Sequence, residues 1–184
     1  MELEKELIQA CLRNDRLAQR QLYQKYAGGM LVVCMRYVNN KAEAEDILQD
    51  AFIKVFQHLA NFRGESTLGA WIKRIVVNTA LRHIQNTYTF DDLEAVDRPN
   101  GKIEDGMSGL QGLQFQELLA LIHQLPKGCQ TIFNLFAIEG FQHNEIAAML
   151  QISEGTSKSQ YARAKQLLQQ ALLVEQKRAA NNIH

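Results

Sequence analysis

Three groups of side chains have the types and spacing to do specific chemistry. The first is Asp46, Gln49, Asp50, Ile53 and Gln57, at i, i+3, i+4, i+7 and i+11. That spacing is one stripe of a helix. Two carboxylates one turn apart can chelate a divalent cation, but hard cations draw several oxygen ligands. Neither a His nor a third carboxylate is fixed beside Asp46 and Asp50. No metal and no other cofactor is therefore expected. A solvated face is the plain alternative, and Ile53 in mid-stripe argues for a protein partner instead. The second group is the loop Asn61-Phe62-Arg63-Gly64-Glu65-Ser66-Thr67, followed by Arg74, Asn78 and Arg82 at helical spacing. An aromatic and a cation on a loop beside a basic helix suit an unstacked single-stranded base and its phosphates. Trp71 reads as core rather than as a stacking platform. The third group lies in Glu145–Leu150, Gln151-Ile152-Ser153 and the segment from Glu154 onward. It has the form of a helix-turn-helix with Ser153 capping the second helix. Gly155, Thr156, Ser159, Gln160 and Arg163 project from one side, and Tyr161, Ala164 and Leu168 from the other. Short polar groups and a cation at a helix N-terminus suit a major groove and its phosphates. The alternative there is a plain helical hairpin.

Helices must carry all three groups. Asn40-Lys41-Ala42-Glu43 has the pattern of a capping box. Ile47, Leu48, Ala51, Phe52, Val55, Phe56 and Leu59 then trace one wide apolar face. Leu22, Tyr26, Met30, Val33 and Tyr37 predict a helix over 16–38, with Gly28 and Gly29 inside it. Leu68, Trp71, Ile72, Ile75, Val76 and Thr79 trace another. With a weaker N-terminal helix, residues 1–86 form a compact all-α domain. Residues 87–111 hold Pro99, Gly101, Gly106 and Gly109 without sustained periodicity, and read as a flexible linker. A second helical domain, 112–184, starts near Leu113. Pro126 suits the opening of a helix and Gly140 its end. The expected fold is all-α, two small helical domains joined by that linker.

Charge follows the same division. Lys+Arg and Asp+Glu both number 20, so the chain of 184 residues is formally neutral. Residues 61–84 carry Arg63, Lys73, Arg74 and Arg82 against Glu65. Residues 85–117 carry seven acids against Arg98 and Lys102, a net −5. Residues 151–184 carry five basic and two acidic side chains, a net +3. Two basic segments about an acidic one point to two anion-binding surfaces. With 46% hydrophobic and 22% charged residues, wholesale disorder is excluded. The longest apolar run, Met30 to Met35, is too short to cross a bilayer, so no membrane insertion is expected. Met1 is followed by Glu2, Glu4 and Glu6, which is no secretory leader. Cys11, Cys34 and Cys129 are odd in number and form no C-x-x-C. They read as buried thiols in a reducing cytoplasm.

Three stretches together carry a resemblance: YQKYAGGMLVVCMRYVNNKAEAEDILQDAFIKVFQHL, FRGESTLGAWIKRIVVNTALRHI and LPKGCQTIFNLFAIEGFQHNEIAAMLQISEGTSKSQYARAKQLL. They are similar to the extracytoplasmic-function group of bacterial sigma factors, over most of the chain outside the linker and tails. The runs EDILQDAF and WIKRIVVNTA are the specific ones. The resemblance implies two helical domains on a flexible linker, binding core RNA polymerase and the −10 and −35 promoter elements, and opening the duplex. It implies that Asp46, Gln49, Asp50 and Ile53 face the polymerase clamp. Asn61, Phe62 and Arg63 would hold a flipped base of the −10 element, with Arg74, Asn78 and Arg82 on the separated strand. Thr156, Lys158, Ser159, Gln160 and Arg163 would sit at the −35 duplex. An anti-sigma partner often accompanies such factors, and no covalent bond is broken by them. Departures from the family pattern lie in the helix-turn-helix. Gln142 stands where Ser or Thr caps, Gln151 where Gly turns, Ser157 where an apolar residue is buried, and Gln160 where a cation is frequent. The expectations are a left-handed backbone near Gln151 and a Ser157 hydroxyl bonded to a carbonyl one turn back.

Two other readings compete. A helix-turn-helix regulator acting without core polymerase leaves the Asp46–Asp50 face and the 61–67 loop without a role. A metal-dependent nucleic-acid enzyme lacks its third ligand.

Overall fold

The computed structural model describes residues 2–87 and 110–181. The chain divides into two compact units, Met1–Thr87 and Tyr88–His184. All regular structure among the described residues is helical. The body of the expected linker, 88–109, lies outside the described residues. Its edges need correction, because one helix runs through Thr87 and the next already begins at Leu110.

The first unit contains α1 (Glu2–Leu12), α2 (Arg16–Met35), α3 (Lys41–His58) and α4 (Leu68–Thr87). Asp15 opens α2 by accepting from the Leu17 and Ala18 amides at 2.8 and 3.3 Å. Helix α2 stops at Met35, short of the predicted end. Tyr37 and Val38 are nevertheless buried, in the turn that follows. Asn40 caps α3 through the Ala42 amide at 2.8 Å. Glu43 does not act as the local half of a capping box. Its carboxylate reaches 2.7 Å across to His83 of α4. The apolar stripe of α3 packs as its periodicity requires, with Ala44, Ile47, Ala51 and Val55 each at most 1% exposed. Helix α3 packs against α4, whose Leu68, Ile72, Val76 and Ala80 are equally buried. Each large side chain so buried contributes about 1.5–3 kcal/mol. Three side-chain hydrogen bonds also join helices of this unit. Glu4 of α1 accepts from Lys25 Nζ and Tyr26 Oη of α2 at 2.9 and 2.8 Å. Lys54 of α3 donates to Thr79 Oγ1 of α4 at 3.2 Å.

The second unit contains α5 (Leu110–His123), α6 (Lys127–Phe133), α7 (His143–Leu150) and α8 (Glu154–Asn181). Pro126 occupies the N-cap position of α6. Helix α6 continues into a π-helical turn, Asn134–Ile138, closed by the Glu139 amide on the Asn134 carbonyl at 2.9 Å. Gly140 follows with φ +81, the left-handed conformation that ends a helix. Leu125, Cys129 and Ala164 form the center of the α6–α8 packing, flanked by Phe133, Leu167 and Leu168. Cys11, Cys34 and Cys129 are all buried free thiols. Burial pushes the Cys34 thiol up to about 12 and raises the other two, so none is a ready nucleophile.

Candidate nucleic-acid interfaces

Helix α3 turns its apolar side to α2 and α4 and therefore its other side to solvent. Asp46, Gln49, Asp50 and Gln57 are all exposed there. Ile53 is 55% exposed in the middle of them. The helix thus has a buried aliphatic face and an exposed polar one with a single aliphatic in it. Among the described residues no group of three His, Cys, Asp or Glu side chains comes together to hold a metal.

The loop after α3 is shaped by backbone as well as side chains. Leu59–Asn61 makes one 3-10 turn, with Leu59 buried as its anchor. Gly64 then adopts φ +73, which a side chain would oppose. Thr67 closes the loop by accepting from the Ala70 amide at 3.2 Å, capping α4. Asn61 and Arg63 are exposed, while Phe62 is half-buried. Phe62 lies against Trp71, ring centroids 5.5 Å apart and tilted by 56°. Trp71 is itself only half-buried, so the reading of it as core needs correction. Its ring is shared between the core and an aromatic pair at the loop. Arg74, Asn78 and Arg82 lie exposed on one stripe of α4 beyond that pair. The stripe starts one turn after Trp71 and runs along α4 away from the loop.

In the helix-turn-helix, Gln142 stands at the N-cap of α7, and its amide is accepted by the Glu145 carboxylate at 2.7 Å. Gln151 between the helices has φ 57 and ψ 41, the left-handed conformation expected at this turn. Ser153 caps α8 by accepting from the Thr156 amide at 2.9 Å. The outward side of α8 holds Gly155, Lys158, Ser159, Ala162 and Gln166, all exposed. Thr156 and Arg163 are half-buried on its flank. Ser159 donates to the Thr156 carbonyl at 3.0 Å. Lys158 pairs with Glu154 one turn back at 2.6 Å, which holds that carboxyl below its ordinary range.

Two residues differ from expectation. Gln160 does not lie on the outward stripe. It is half-buried, and its Oε1 accepts from the Cys129 thiol of α6 at 2.8 Å. The helix is rotated so that Gln160 closes the α6 contact, and Ala162 occupies the exposed position. Ser157 is fully buried, yet its hydroxyl meets His143 Nδ1 at 2.9 Å rather than a carbonyl one turn back. Ala162 was missed because a small apolar residue carries no sign of contact. Its phase relative to Ser157 and Ala164, both 0% exposed, identifies it.

Two helical units, one with an exposed basic stripe beside an aromatic pair, the other with a helix-turn-helix, have the form of a nucleic-acid-binding protein. The comparisons with known proteins make this specific. Residues 22–88 match the family model for sigma-70 region 2, and residues 115–168 that for sigma-70 region 4. The chain is 31% identical over 183 residues to the RNA polymerase sigma-H factor of Pseudomonas aeruginosa, covering 93% of this chain and 94% of that protein. It is 27% identical to the ECF RNA polymerase sigma-E factor of Haemophilus influenzae, over 89% and 92% of the two chains. Its fold is similar to that of the sigma factor RpoE from Bartonella quintana, solved with the anti-sigma factor NepR. That match has a TM-score of 0.53, 23% identity, and covers 84% of this chain and 96% of that one. The chain belongs to the extracytoplasmic-function group of the sigma-70 family. It is an RNA polymerase sigma factor, acting in transcription initiation. Among the described residues, no helix is long and apolar enough to cross a membrane.

Proposed function

We propose that the three surfaces divide the work of initiation. Asp46, Gln49, Asp50 and Ile53 on α3 dock on core RNA polymerase. Complementary charge sets the register and on-rate of such a contact, and the central aliphatic adds desolvated area. Asn61, Phe62 and Arg63 take up an unstacked base of the −10 element, while Arg74, Asn78 and Arg82 hold the separated strand. Keeping one base out of the stack costs on the order of a few kcal/mol, drawn from these contacts. The outward stripe of α8, with Lys158 and Ser159 at its center and Thr156 and Arg163 beside it, reads the −35 duplex. Gln160 contributes to the packing beneath that stripe. The observation that carries this reading is the exposure of Ile53, Arg74, Asn78, Arg82, Lys158 and Ser159 on faces whose opposite sides are buried.

In this reading residues 1–87 and 110–184 are the two promoter-binding domains, with 88–109 the linker between them. The chain breaks no covalent bond and uses no cofactor; opening the duplex is a redistribution of binding energy. It works in the cytoplasm, where promoter DNA is. An anti-sigma factor is a further partner, as NepR is for the Bartonella quintana protein. Transcription from genomic fragments with purified core polymerase tests the reading. The expected result is transcript initiation at discrete promoters only when both proteins are present.

A further inference from the structure

Helices α7 and α8 pack together, and a side-chain hydrogen bond crosses their buried contact. Ser157 is 0% exposed, and its Oγ lies 2.9 Å from Nδ1 of His143, the first residue of α7. The His143 ring stacks on Phe136 at 4.2 Å and 12°, and Tyr161 tilts against it at 5.8 Å. The imidazole is thus held by its ring faces and by one nitrogen. A buried hydroxyl costs free energy unless it is bonded, and two simpler solutions were open at this position. An aliphatic side chain would need no partner, and a bond to the preceding turn of the same helix would need no second helix. The hydroxyl instead crosses to α7.

The difference matters for what α8 presents. An apolar contact tolerates small rotations and slides with little loss, whereas a hydrogen bond weakens steeply outside a narrow range of angle and distance. Successive residues of a helix are about 100° apart around its axis. Contacts to base edges need side chains held within about 0.5 Å and 10–20°. A small rotation of α8 therefore separates the outward Lys158 and Ser159 from any base pattern they read.

We propose that His143 and Ser157 are positioning residues for promoter reading, their bond fixing the rotation of α8 that presents Lys158 and Ser159 to the −35 element. The proposal rests on the reading of α8 as the −35 helix. Neither residue touches DNA in it.

The test uses the full chain in holoenzyme, on a promoter that the wild-type holoenzyme fires, intact or with single-base changes in its −35 element. Ser157→Ala removes the hydroxyl. His143→Phe keeps a ring to stack and removes the nitrogen. His143→Asn places an amide oxygen where Nδ1 stands, keeping the bond and losing the stack. Ser157→Ala and His143→Phe should each lower discrimination between intact and changed elements about fivefold, or about 1 kcal/mol. The double variant should lose no more than either single one, and His143→Asn should retain discrimination even where its melting temperature falls. Unchanged discrimination in Ser157→Ala overturns the proposal. So does a loss in His143→Asn equal to that in His143→Phe, since the effect then follows stability alone. A wild-type holoenzyme that initiates without regard to the −35 sequence overturns the reading of α8 itself, a result separate from either of these.

Discussion

A left-handed residue with a side chain is strained, and Gln151 is one. Its φ of 57 crowds Cβ against the carbonyl, at a cost of about 1 kcal/mol that glycine does not incur. The side chain is exposed, so replacing it removes little packing. Gln151→Gly should raise the melting temperature of the second unit, by about 4 °C for 1 kcal/mol in a domain of this size. Promoter choice should not change, and a lower melting temperature would contradict the account. Two further side chains test the rotation of α8. Ala162→Arg adds a cation on the exposed stripe, so it should tighten −35 binding and steepen the salt slope by about one unit. Gln160→Arg places its cation at the Cys129 contact instead. It should destabilise the unit by about 1–3 kcal/mol and leave the salt slope alone. The reverse pattern would return Gln160 to the DNA side. Sequence spacing placed Gln160 with Ser159 because neighbours on a helix differ by about 100°, and polarity alone cannot say which side of a boundary residue is covered. The left-handed turn was legible because it needs only local geometry. The partner of Ser157 was not, since His143 comes from another helix.

Among the elements, α2 and α4 use glycine in opposite ways. Gly28 and Gly29 lie inside α2, and a Cβ built at either meets nothing within 4 Å. Each costs helix stability of about 1 kcal/mol against alanine. Gly28→Ala and Gly29→Ala should therefore each stabilise the first unit by up to that amount in a denaturant melt. Gly69 near the start of α4 differs, because a Cβ there would come within 3.2 Å of the Tyr26 ring. Tyr26 is tied to Glu4, so its ring has little freedom to give way. The polar face of α3 supports a prediction of another kind. Asp50 is exposed, and exposed charges contribute little to stability. Asp50→Lys should leave the melting temperature nearly unchanged while weakening core-polymerase binding by a few kcal/mol, about a hundredfold. Equal affinity in a direct binding titration would remove α3 from the docking surface. Helix existence was legible because a buried stripe repeats over many residues, and phase was legible in α3 and α4, where that stripe is wide. The π-helical turn at Asn134–Ile138 was not, since one inserted residue leaves hardly a trace in periodicity.

At the scale of the whole molecule, charge and surface area set what the free chain can do. Twenty basic and twenty acidic residues leave no net charge to draw it to DNA. The cations that would meet phosphate are few on each unit: Arg74 and Arg82 on α4, Lys158 and Arg163 on α8. Lys158 is in addition partly neutralised by Glu154 at 2.6 Å. Each surface alone can release only a few counterions, and specific complexes with duplex DNA ordinarily need more. Two weak contacts become strong when both are held at a fixed spacing, because the second then forms at a high effective concentration. Core polymerase docked on α3 would supply that frame. The isolated chain should therefore bind promoter duplex in the range of non-specific complexes, about 10⁻⁴–10⁻⁶ M at physiological salt. Adding core polymerase should bring the same promoter into the nanomolar range, and Asp50→Lys should undo the gain without altering the isolated chain's own weak binding. Equilibrium titration of labelled promoter, with and without core polymerase, measures both terms. Nanomolar, sequence-specific binding by the chain alone would mean that the two basic surfaces need no frame, which is the behaviour of a regulator acting without polymerase.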